Sequence, residues 1–297
     1  MEGLSILIPT YNDRCITLVR TLLEQAAILN IDYEIIVADD GSNQQEVLQE
    51  NAPIAEMDHC RYLVRSSNKG RAAIRNFLAQ QASFPWLLFL DSDMVVCRHD
   101  FLQKYIQCKN DVVYGGVTIR GAVDGNLRYL YEHASEHEHR VEKRMQQPYQ
   151  DFHTANFMIR RELMLQFPFD ERFRYYGYED VFFGITLEEH HITIQHIANP
   201  MSFEIFENNV DFLLKTEEGL RTLYTFRDEL KDHSRMLQFI SSQLSLTLWL
   251  LQKWHHIMGT WERQQLAGNH PQLWIFKLYK IGYYLDYAKR QSSVTNL

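Results

Sequence analysis

The run Leu4-Ser-Ile-Leu-Ile-Pro9 begins a series of short apolar segments that decide the fold, and Trp86-Leu-Leu-Phe-Leu90 is the most apolar of them. Three similar runs occupy residues 34–38, 61–64 and 112–114. Helical patterns separate them at residues 16–29, 44–50, 71–81 and 100–108. Apolar strands that alternate with helices predict an α/β fold with a mostly parallel sheet covered by helices on both faces. Ligands in such sheets bind at the carboxyl ends of the strands.

The composition narrows the class of protein. The chain has 297 residues, and its 45% hydrophobic content is enough to fill a sizeable core. A net charge of −8 argues against a nucleic-acid-binding surface, which needs basic stripes. The four cysteines lack the close spacing of a zinc site or disulfide framework. No signal-peptide pattern and no membrane-length apolar segment occur, so we expect a cytoplasmic protein.

The chain changes character near residue 205. Beyond it the strand pattern gives way to helical periodicity that is rich in tryptophan and tyrosine. We therefore predict a catalytic domain at residues 1–205 and a helical C-terminal appendage at residues 206–297. The charged middle segment, from about residue 126 to 150, is predicted to form a solvated helix or flap.

Acidic residues follow two of the predicted strands. Asp39-Asp40-Gly41-Ser42 ends the second run, where a carboxylate could accept a hydrogen bond from a nucleotide base and glycine allows a close turn. The same tetrapeptide is ordinary turn chemistry. Asp91-Ser92-Asp93 follows residues 86–90, and its two carboxylates point to one side of an extended chain. Oxygen ligands of this kind suit Mn²⁺ or Mg²⁺, although a solvated acidic loop remains the alternative.

Two further segments carry charge next to predicted helices. In Asn68-Lys-Gly-Arg71, followed by Arg75, the two arginines are four residues apart and share a helix face. That face could meet phosphates or pair with the acidic loops. In Tyr175-Tyr-Gly-Tyr-Glu-Asp180, the acids could complement a helix dipole, or the aromatics could stack on sugars while a carboxylate removes a proton.

Taken in order, these segments resemble the successive motifs of the family 2 glycosyltransferases. The resemblance rests on residues 5–12, 34–42, 68–76, 91–93 and 177–180, and it covers roughly Leu4 to Pro200. It implies a GT-A fold, which is Rossmann-like, and an inverting transfer of a sugar from a nucleotide-diphosphate donor.

The resemblance also implies residue roles. Asp180 is the expected catalytic base, with Glu179 beside it holding the acceptor or the donor sugar. Asp93 is the expected metal ligand, and Asp91 is expected near the ribose and the metal. The residues implied in nucleotide and donor binding are Pro9, Thr10, Tyr11, Asp39, Asp40, Asn68, Gly70, Arg71, Asp91 and Ser92.

One departure concerns the metal. Members with a similar C-terminal half often carry a histidine shortly after the Asn-Pro that follows the last strand, whereas this chain has Phe203 there. His196 is a further candidate ligand, although it also fits an ordinary strand position. His153, Asn156 and Tyr178 are candidates for contact with the acceptor or donor sugar, and a capping role is the alternative for the first two.

We therefore expect a hexosyl- or N-acetylhexosaminyltransferase that uses a nucleotide sugar, with UDP favoured, and a saccharide or lipid-linked acceptor, in cell-surface polysaccharide or glycoconjugate synthesis. The alternatives are a catalytically impaired sugar-nucleotide-binding module and a sugar nucleotidyltransferase. The C-terminal helices either pack as a structural layer or dock on a membrane surface through Trp249, Trp254, Trp274 and Tyr279 with neighbouring lysines.

Overall fold

The computed structural model describes the backbone of residues 2–295 and the side chains of residues 2–293. Its strands are β1 (Leu4–Thr10), β2 (Tyr33–Asp39), β3 (Cys60–Val64), β4 (Trp86–Leu90), β5 (Met94–Val96), β6 (Val112–Tyr114), β7 (Val117–Ile119), β8 (Asn156–Arg160), β9 (Ile194–His196) and β10 (Met201–Phe203). Its α-helices are α1 (Ile16–Ala26), α2 (Gln45–Asn51), α3 (Arg71–Gln81), α4 (Phe101–Ile106), α5 (Leu127–Ser135), α6 (Val141–Arg144), α7 (Arg161–Gln166), α8 (Glu179–Glu189), α9 (Asn209–Thr225), α10 (Arg227–Leu230), α11 (Arg235–Ser242), α12 (Ser245–Ala267) and α13 (Leu273–Thr295). Short 3-10 helices occupy Ala52–Glu56 and Glu136–His139.

The chain divides into two compact units. The first contains residues 1–120, 136–174 and 179–205, and the second contains residues 121–135, 175–178 and 206–297. The second unit therefore includes two short segments from the middle of the chain. The domain boundary after residue 205 stays a prediction.

The first unit is built on a seven-stranded sheet in the order β3-β2-β1-β4-β8-β6-β9. The pairs from β3 through β4 are parallel, and β8 runs antiparallel to both of its neighbours. A second, three-stranded sheet has the order β5-β10-β7. In the sequence these strands follow β4, β9 and β6, respectively. The predicted α/β fold with a mostly parallel sheet is confirmed.

Alternating side chains of the central strands fill two cores. Ile6 and Ile8 of β1 pack in one core with α1 and α4, while Leu7 packs in the other with α3 and α8. In β4 all five residues are buried, because helices cover both faces of the sheet. The apolar character of residues 86–90, which shows no polar alternation, follows from this position.

The second unit is helical, as predicted for the C-terminal part. Its core joins Leu127 of α5 to residues of α9, α12 and α13, including Leu213, Leu266 and Phe276. Buried polar pairs accompany that core. The carboxylate of Glu262 accepts hydrogen bonds from Trp254 Nε1 at 2.8 Å and His255 Nδ1 at 2.7 Å. Within residues 2–295, we find no helix with the length and apolarity that crossing a bilayer requires.

Candidate active site

The loops after β1 and β2 are tied together at the carboxyl ends of the strands. Asn12 has a left-handed backbone (φ 52°), and its side-chain oxygen accepts hydrogen bonds from the amides of Asn43 and Gln44 at 3.0 and 3.2 Å. The buried Asp39 accepts from the Ser42 amide at 2.6 Å and the Tyr62 hydroxyl at 3.2 Å. Asp39 thus folds the turn, and its contact with a base stays a prediction.

The predicted residues of the first loop lie at the same edge. Thr10 is buried, and its hydroxyl donates to the carbonyl of Asp13 at 3.1 Å. Pro9 is half-buried, whereas the ring of Tyr11 is exposed. Tyr11 is therefore the residue of this group whose ring can meet a ligand without rearrangement.

Asp40 positions the start of helix α3. Its Oδ1 accepts from Arg65 Nη1 at 2.9 Å, and its Oδ2 accepts from the amides of Lys69 and Gly70 at 3.0 and 2.9 Å. Gly70 has φ 98°, and a Cβ there would collide with the carbonyl oxygen of Arg174, so glycine is required. Asn68 is exposed, and its side-chain oxygen accepts from the Gly70 amide at 3.0 Å. The loop before Arg71 is therefore held in one conformation.

Two arginines of α3 join the acidic motifs that are far apart in the sequence. Arg71 donates to Glu179 Oε1 at 2.6 Å and to Asp91 Oδ2 at 3.1 Å. Arg75 donates to Asp91 Oδ1 at 2.6 Å and lies 3.7 Å from Glu179 Oε1. The shared arginine face therefore pairs with the acidic loops, one of the two roles that the sequence left open. Arg71 keeps 42% of its side chain exposed, so it can also reach a bound anion.

The second acidic motif separates its two carboxylates. Asp91 faces the two arginines, Ser92 is half-buried, and Asp93 is exposed. Since both oxygens of Asp91 accept from guanidinium groups, Asp93 fits a metal better than Asp91 does. We find no cluster of three or more His, Cys, Asp or Glu side chains suited to a metal in the part of the chain that the structure describes. Mg²⁺ and Mn²⁺ commonly take one carboxylate together with substrate phosphates, so the residues present fit an ion shared with a diphosphate.

Phe203 occupies the position at which the resemblance implies a metal-binding histidine. In the antiparallel pairing of β10 with β5, Phe203 is opposite Met94, the residue that follows Asp93. A phenyl ring offers no ligand atom, so the position beside the predicted metal loop supplies none.

His196 lies in β9, the ordinary strand position that the sequence also allowed, and its role as a metal ligand stays a prediction. Its Nε2 lies 2.9 Å from the carbonyl of Pro148, and its Nδ1 lies 3.2 Å from Arg144 Nη1, so both ring nitrogens have protein partners. Burial, with the nearby Arg144 guanidinium, lowers the pKa of His196 to about 4. His196 is thus a neutral core residue that helps to hold a buried arginine.

Asp180 is paired with a histidine. Its Oδ2 lies 3.0 Å from His153 Nδ1, and its Oδ1 accepts from the amide of Val181 at 2.8 Å. Burial opposes ionisation of Asp180, but the hydrogen bond and charge of His153, with the Val181 amide and Arg71, outweigh it and lower the pKa of the carboxyl. Glu179 and Asp180 both lie in the first turn of α8, where the helix dipole also favours negative charge.

The remaining sugar-contact candidates differ in position. Asn156 is fully buried, accepts from the Tyr105 hydroxyl at 2.6 Å and donates to the carbonyls of Gly116 and Asn199, both at 2.9 Å. These contacts match the capping role that the sequence left open for Asn156, and its contact with a sugar stays a prediction. Tyr178 belongs to the second unit and has a left-handed backbone (φ 70°), so its contact with a sugar stays a prediction.

Sequence reasoning did not identify the His153–Asp180 pair or the role of Arg144. The two members of the pair are 27 residues apart, and no local spacing links them. Arg144 is buried and donates to the carbonyls of His139 and Ile197, both at 2.9 Å, although its segment was predicted to be solvated. The loop residue Asn12 could have been found, because asparagine after a strand is typical of a left-handed turn.

Comparison with known proteins identifies one family and several relatives. The profile named Glycosyl transferase family 2 matches residues 5–167, more than half of the chain. Chondroitin synthase of Escherichia coli is 37% identical over 100 residues, which are 32% of this chain and 14% of that protein. An uncharacterized glycosyltransferase of Haemophilus influenzae is 32% identical over 111 residues, 36% of this chain and 42% of that protein. The matches thus span less than half of each relative.

Solved structures show a similar fold. TarS 1–349 of S. aureus, in complex with UDP, has a TM-score of 0.52 at 16% identity, covering 98% of this chain and 92% of that chain. The mannosyltransferase PcManGT of Pyrobaculum calidifontis, in complex with GDP-Man and Mn²⁺, has a TM-score of 0.56 at 13% identity, covering 97% and 86%. At these identities the likeness concerns the fold alone, and the expected GT-A fold is confirmed.

Proposed function

The chain belongs to glycosyltransferase family 2, and from this we propose that it is an inverting glycosyltransferase that moves a sugar from a nucleotide-diphosphate donor to a hydroxyl group. The observation that carries the proposal is the meeting of Asp91 and Glu179 on Arg71, with Asp180 next in the chain. Acidic motifs 88 residues apart in the sequence come together where ligands of parallel sheets bind.

Donor and acceptor are proposed more specifically. UDP is the proposed nucleotide, supported by the TarS structures with UDP and UDP-GlcNAc, and the sugar is a hexose or N-acetylhexosamine. The acceptor is a saccharide or a lipid-linked saccharide. Similarity to chondroitin synthase supports a role in cell-surface polysaccharide or glycoconjugate synthesis, in the cytoplasm or at the inner face of the membrane.

The residues divide the chemistry as follows. Arg71 would meet the donor phosphates, and Asp93 would hold Mn²⁺ or Mg²⁺. The bound ion supplies Lewis-acid stabilisation of the leaving group. Asp180 promotes removal of the acceptor proton while the hydroxyl attacks the anomeric carbon from the opposite face. A single displacement of this kind turns an α-linked donor into a β-linked product.

A panel of nucleotide sugars with Mn²⁺ or Mg²⁺ tests the function. We expect the protein to consume one UDP-sugar and to lose this turnover when EDTA removes the metal. NMR of the glycoside product should show the β anomer. Asp93→Asn should weaken metal-dependent donor binding by roughly tenfold or more, because it removes the charge of a hard oxygen ligand. Asp100→Asn, at a partly exposed carboxylate that pairs with Arg98 just before α4, is the control.

The outcomes separate the rival functions. A protein that binds the donor but transfers the sugar neither to any acceptor nor to water would be an impaired binding module. The phenylalanine at position 203 is the observation that supports this alternative. Formation of a nucleotide sugar from a sugar phosphate and a nucleoside triphosphate would indicate a nucleotidyltransferase. A retained anomeric configuration would contradict the single displacement.

The C-terminal helices support a second part of the proposal, docking on a membrane surface. Helix α12 exposes an apolar stripe at spacings of four, seven and four residues: Leu246, Leu250, Ile257 and Trp261. Ile257 is 75% exposed. Trp249, Trp254 and Trp274 are also exposed, whereas Tyr279 is buried and donates to Glu217 at 2.6 Å, which removes it from the predicted docking surface.

Charge favours an anionic lipid surface as the occupant of this stripe. Residues 235–290 contain seven lysines and arginines and two acidic residues, in a chain whose net charge is −8. Lys253 lies over the ring of Trp249 at 5.9 Å, beside the stripe. Amphipathic helices with this combination of tryptophan, aliphatic side chains and basic residues lie in the headgroup region of membranes.

Vesicle flotation tests the docking. We expect the protein to float with phosphatidylcholine vesicles that contain phosphatidylglycerol and to bind weakly without it. The triple variant Leu246→Gln, Leu250→Gln, Ile257→Gln should bind on the order of a hundredfold more weakly, since each inserted CH₂ contributes about 0.8 kcal/mol. Ile28→Gln, at an equally exposed residue of the first unit, is the control. Unchanged flotation of the triple variant would overturn the docking. So would a wild type that is dimeric in solution and a triple variant that is monomeric, because the stripe would then bind a second copy of this chain.

A further inference from the structure

A polar cleft lies between helices α12 and α13 of the second unit. Its volume is about 700 Å³, which falls within the range of small-molecule sites. The side chains that form it come from the first half of α12 and the last turns of α13, and they include Gln252, Lys253, His256, Asp286, Lys289 and Arg290. Every one of these side chains can donate or accept hydrogen bonds.

The cleft lies where two helices face each other. Asp286, Lys289 and Arg290 are spaced by three and one residues, so they share one face of α13. Gln252 of α12 reaches across, and its Nε2 donates to the carbonyl of Leu285 at 3.4 Å. A helix face that packs against a neighbour is normally apolar at these spacings. Polar residues there indicate that this end of the helix pair receives a polar ligand or water.

Positive charge exceeds negative charge in the cleft. Lys253, Lys289 and Arg290 are cationic, whereas Asp286 is acidic, which leaves an excess of two positive charges from these four residues. Arg290 Nη2 donates to Asp286 Oδ2 at 2.6 Å, and 65% of the arginine side chain is exposed. A guanidinium has five N–H donors, so others are available to a second anion. The cleft therefore suits an anion with two negative charges.

The cleft adjoins the apolar stripe of α12. Lys253 is three residues after Leu250 and four before Ile257, so it lies between them on the same side of the helix. Its Nζ also lies 5.9 Å from the centre of the Trp249 ring. Basic groups next to an inserted apolar surface lie at the depth of lipid headgroups. A lipid with acyl chains along the stripe can thus place its headgroup in the cleft.

We propose that the cleft binds the phosphomonoester headgroup of a membrane lipid in preference to the phosphodiester of ordinary phospholipids; this inference rests on the proposed docking of α12. A phosphomonoester carries a charge of about −1.5 to −2 and three terminal oxygens, whereas a phosphodiester carries a single charge. Arg290 can meet two phosphate oxygens at once, and Lys253 and Lys289 act as point charges from the two helices.

Vesicle flotation with two lipids tests the preference. Phosphatidylcholine vesicles contain either phosphatidic acid, a phosphomonoester, or phosphatidylglycerol, a phosphodiester, at equal total negative charge. We expect the wild type to bind the phosphatidic acid vesicles about fivefold more tightly. The double variant Lys253→Gln, Lys289→Gln should bind them about tenfold or more weakly and lose the preference. Lys231→Gln, Lys277→Gln, at two exposed lysines of the same unit outside the cleft, is the control and should keep it.

A titration without membranes separates this inference from the proposed docking. Short-chain phosphatidic acid, below the concentration at which it forms micelles, should shift the ³¹P resonance on binding to the wild type but not to the Lys253→Gln, Lys289→Gln variant. If this binding occurs and the wild type does not float with any vesicle, the docking fails and the cleft stands. Equal binding of the two kinds of vesicle, or an unchanged preference in that variant, would overturn the inference. Inorganic phosphate that binds as tightly as the short-chain lipid would also overturn it, because the site would then be one for free phosphate.

Discussion

Replacing Arg75 by methionine is expected to lower the free energy of unfolding by about 3–5 kcal/mol, because it removes the buried partner of Asp91 and Glu179 and leaves them only the partly exposed Arg71. Arg75 is 1% exposed, donates to Asp91 at 2.6 Å and lies 3.7 Å from the buried Glu179. Methionine fills much of the same volume, so packing is kept and the lost interaction is mainly electrostatic. Urea unfolding of the wild type and the variant at neutral pH measures the difference.

Arg71→Met is the matched control for that experiment. Arg71 contacts the same two carboxylates from the same helix, but 42% of its side chain is exposed. Solvent screens its ion pairs, so we expect a loss of about 1 kcal/mol in stability. In Arg71→Met, the loss of binding free energy for the donor should be larger than the loss of unfolding free energy. Equal losses of stability in the two variants would show that burial does not distinguish the two arginines.

The sheet could be predicted from the sequence because its central strands are buried on both faces. Residues 86–90 are apolar throughout and become β4, and the helix expected at 71–81 has those bounds in the structure. The segment around Arg144 was predicted less well, because local charge density suggested solvent exposure. Its guanidinium instead donates hydrogen bonds to main-chain carbonyls inside the first unit. No periodic pattern in the sequence predicts such an arrangement.

In the candidate site, too, local spacing predicted some contacts, whereas contacts between distant segments could not be predicted. The spacing of Arg71 and Arg75 predicted a common face, and the pairing of that face with acidic loops was one of two stated roles. Motif order could not reveal that His153 reaches Asp180, since this contact depends on how the loop before β8 packs against the start of α8. The capping role of Asn156 likewise depends on a hydrogen bond from Tyr105, which lies 51 residues away in the sequence.

Asp180→Asn is expected to reduce transfer by about a thousandfold or more while donor binding is retained. The amide has the shape of the carboxylate and can still accept from the Val181 amide, but it carries no charge and cannot receive the acceptor proton. Arg71 and Asp93 are unchanged, so the donor and its metal should bind as before. Calorimetric titration with the UDP-sugar, beside initial rates of transfer, measures the two effects separately.

Stability supplies an independent check on the same variant. The folded-state pKa of Asp180 is lowered, so the ionised carboxylate stabilises the folded protein above the unfolded pKa of about 3.9, and this contribution is lost as the pH falls through the folded value. The difference in unfolding free energy between wild type and Asp180→Asn should therefore be largest near neutral pH and shrink in acid.

A loss of donor binding equal to the loss of transfer would contradict a role in proton removal. It would mean that Asp180 holds the donor, and the proton would then need another acceptor.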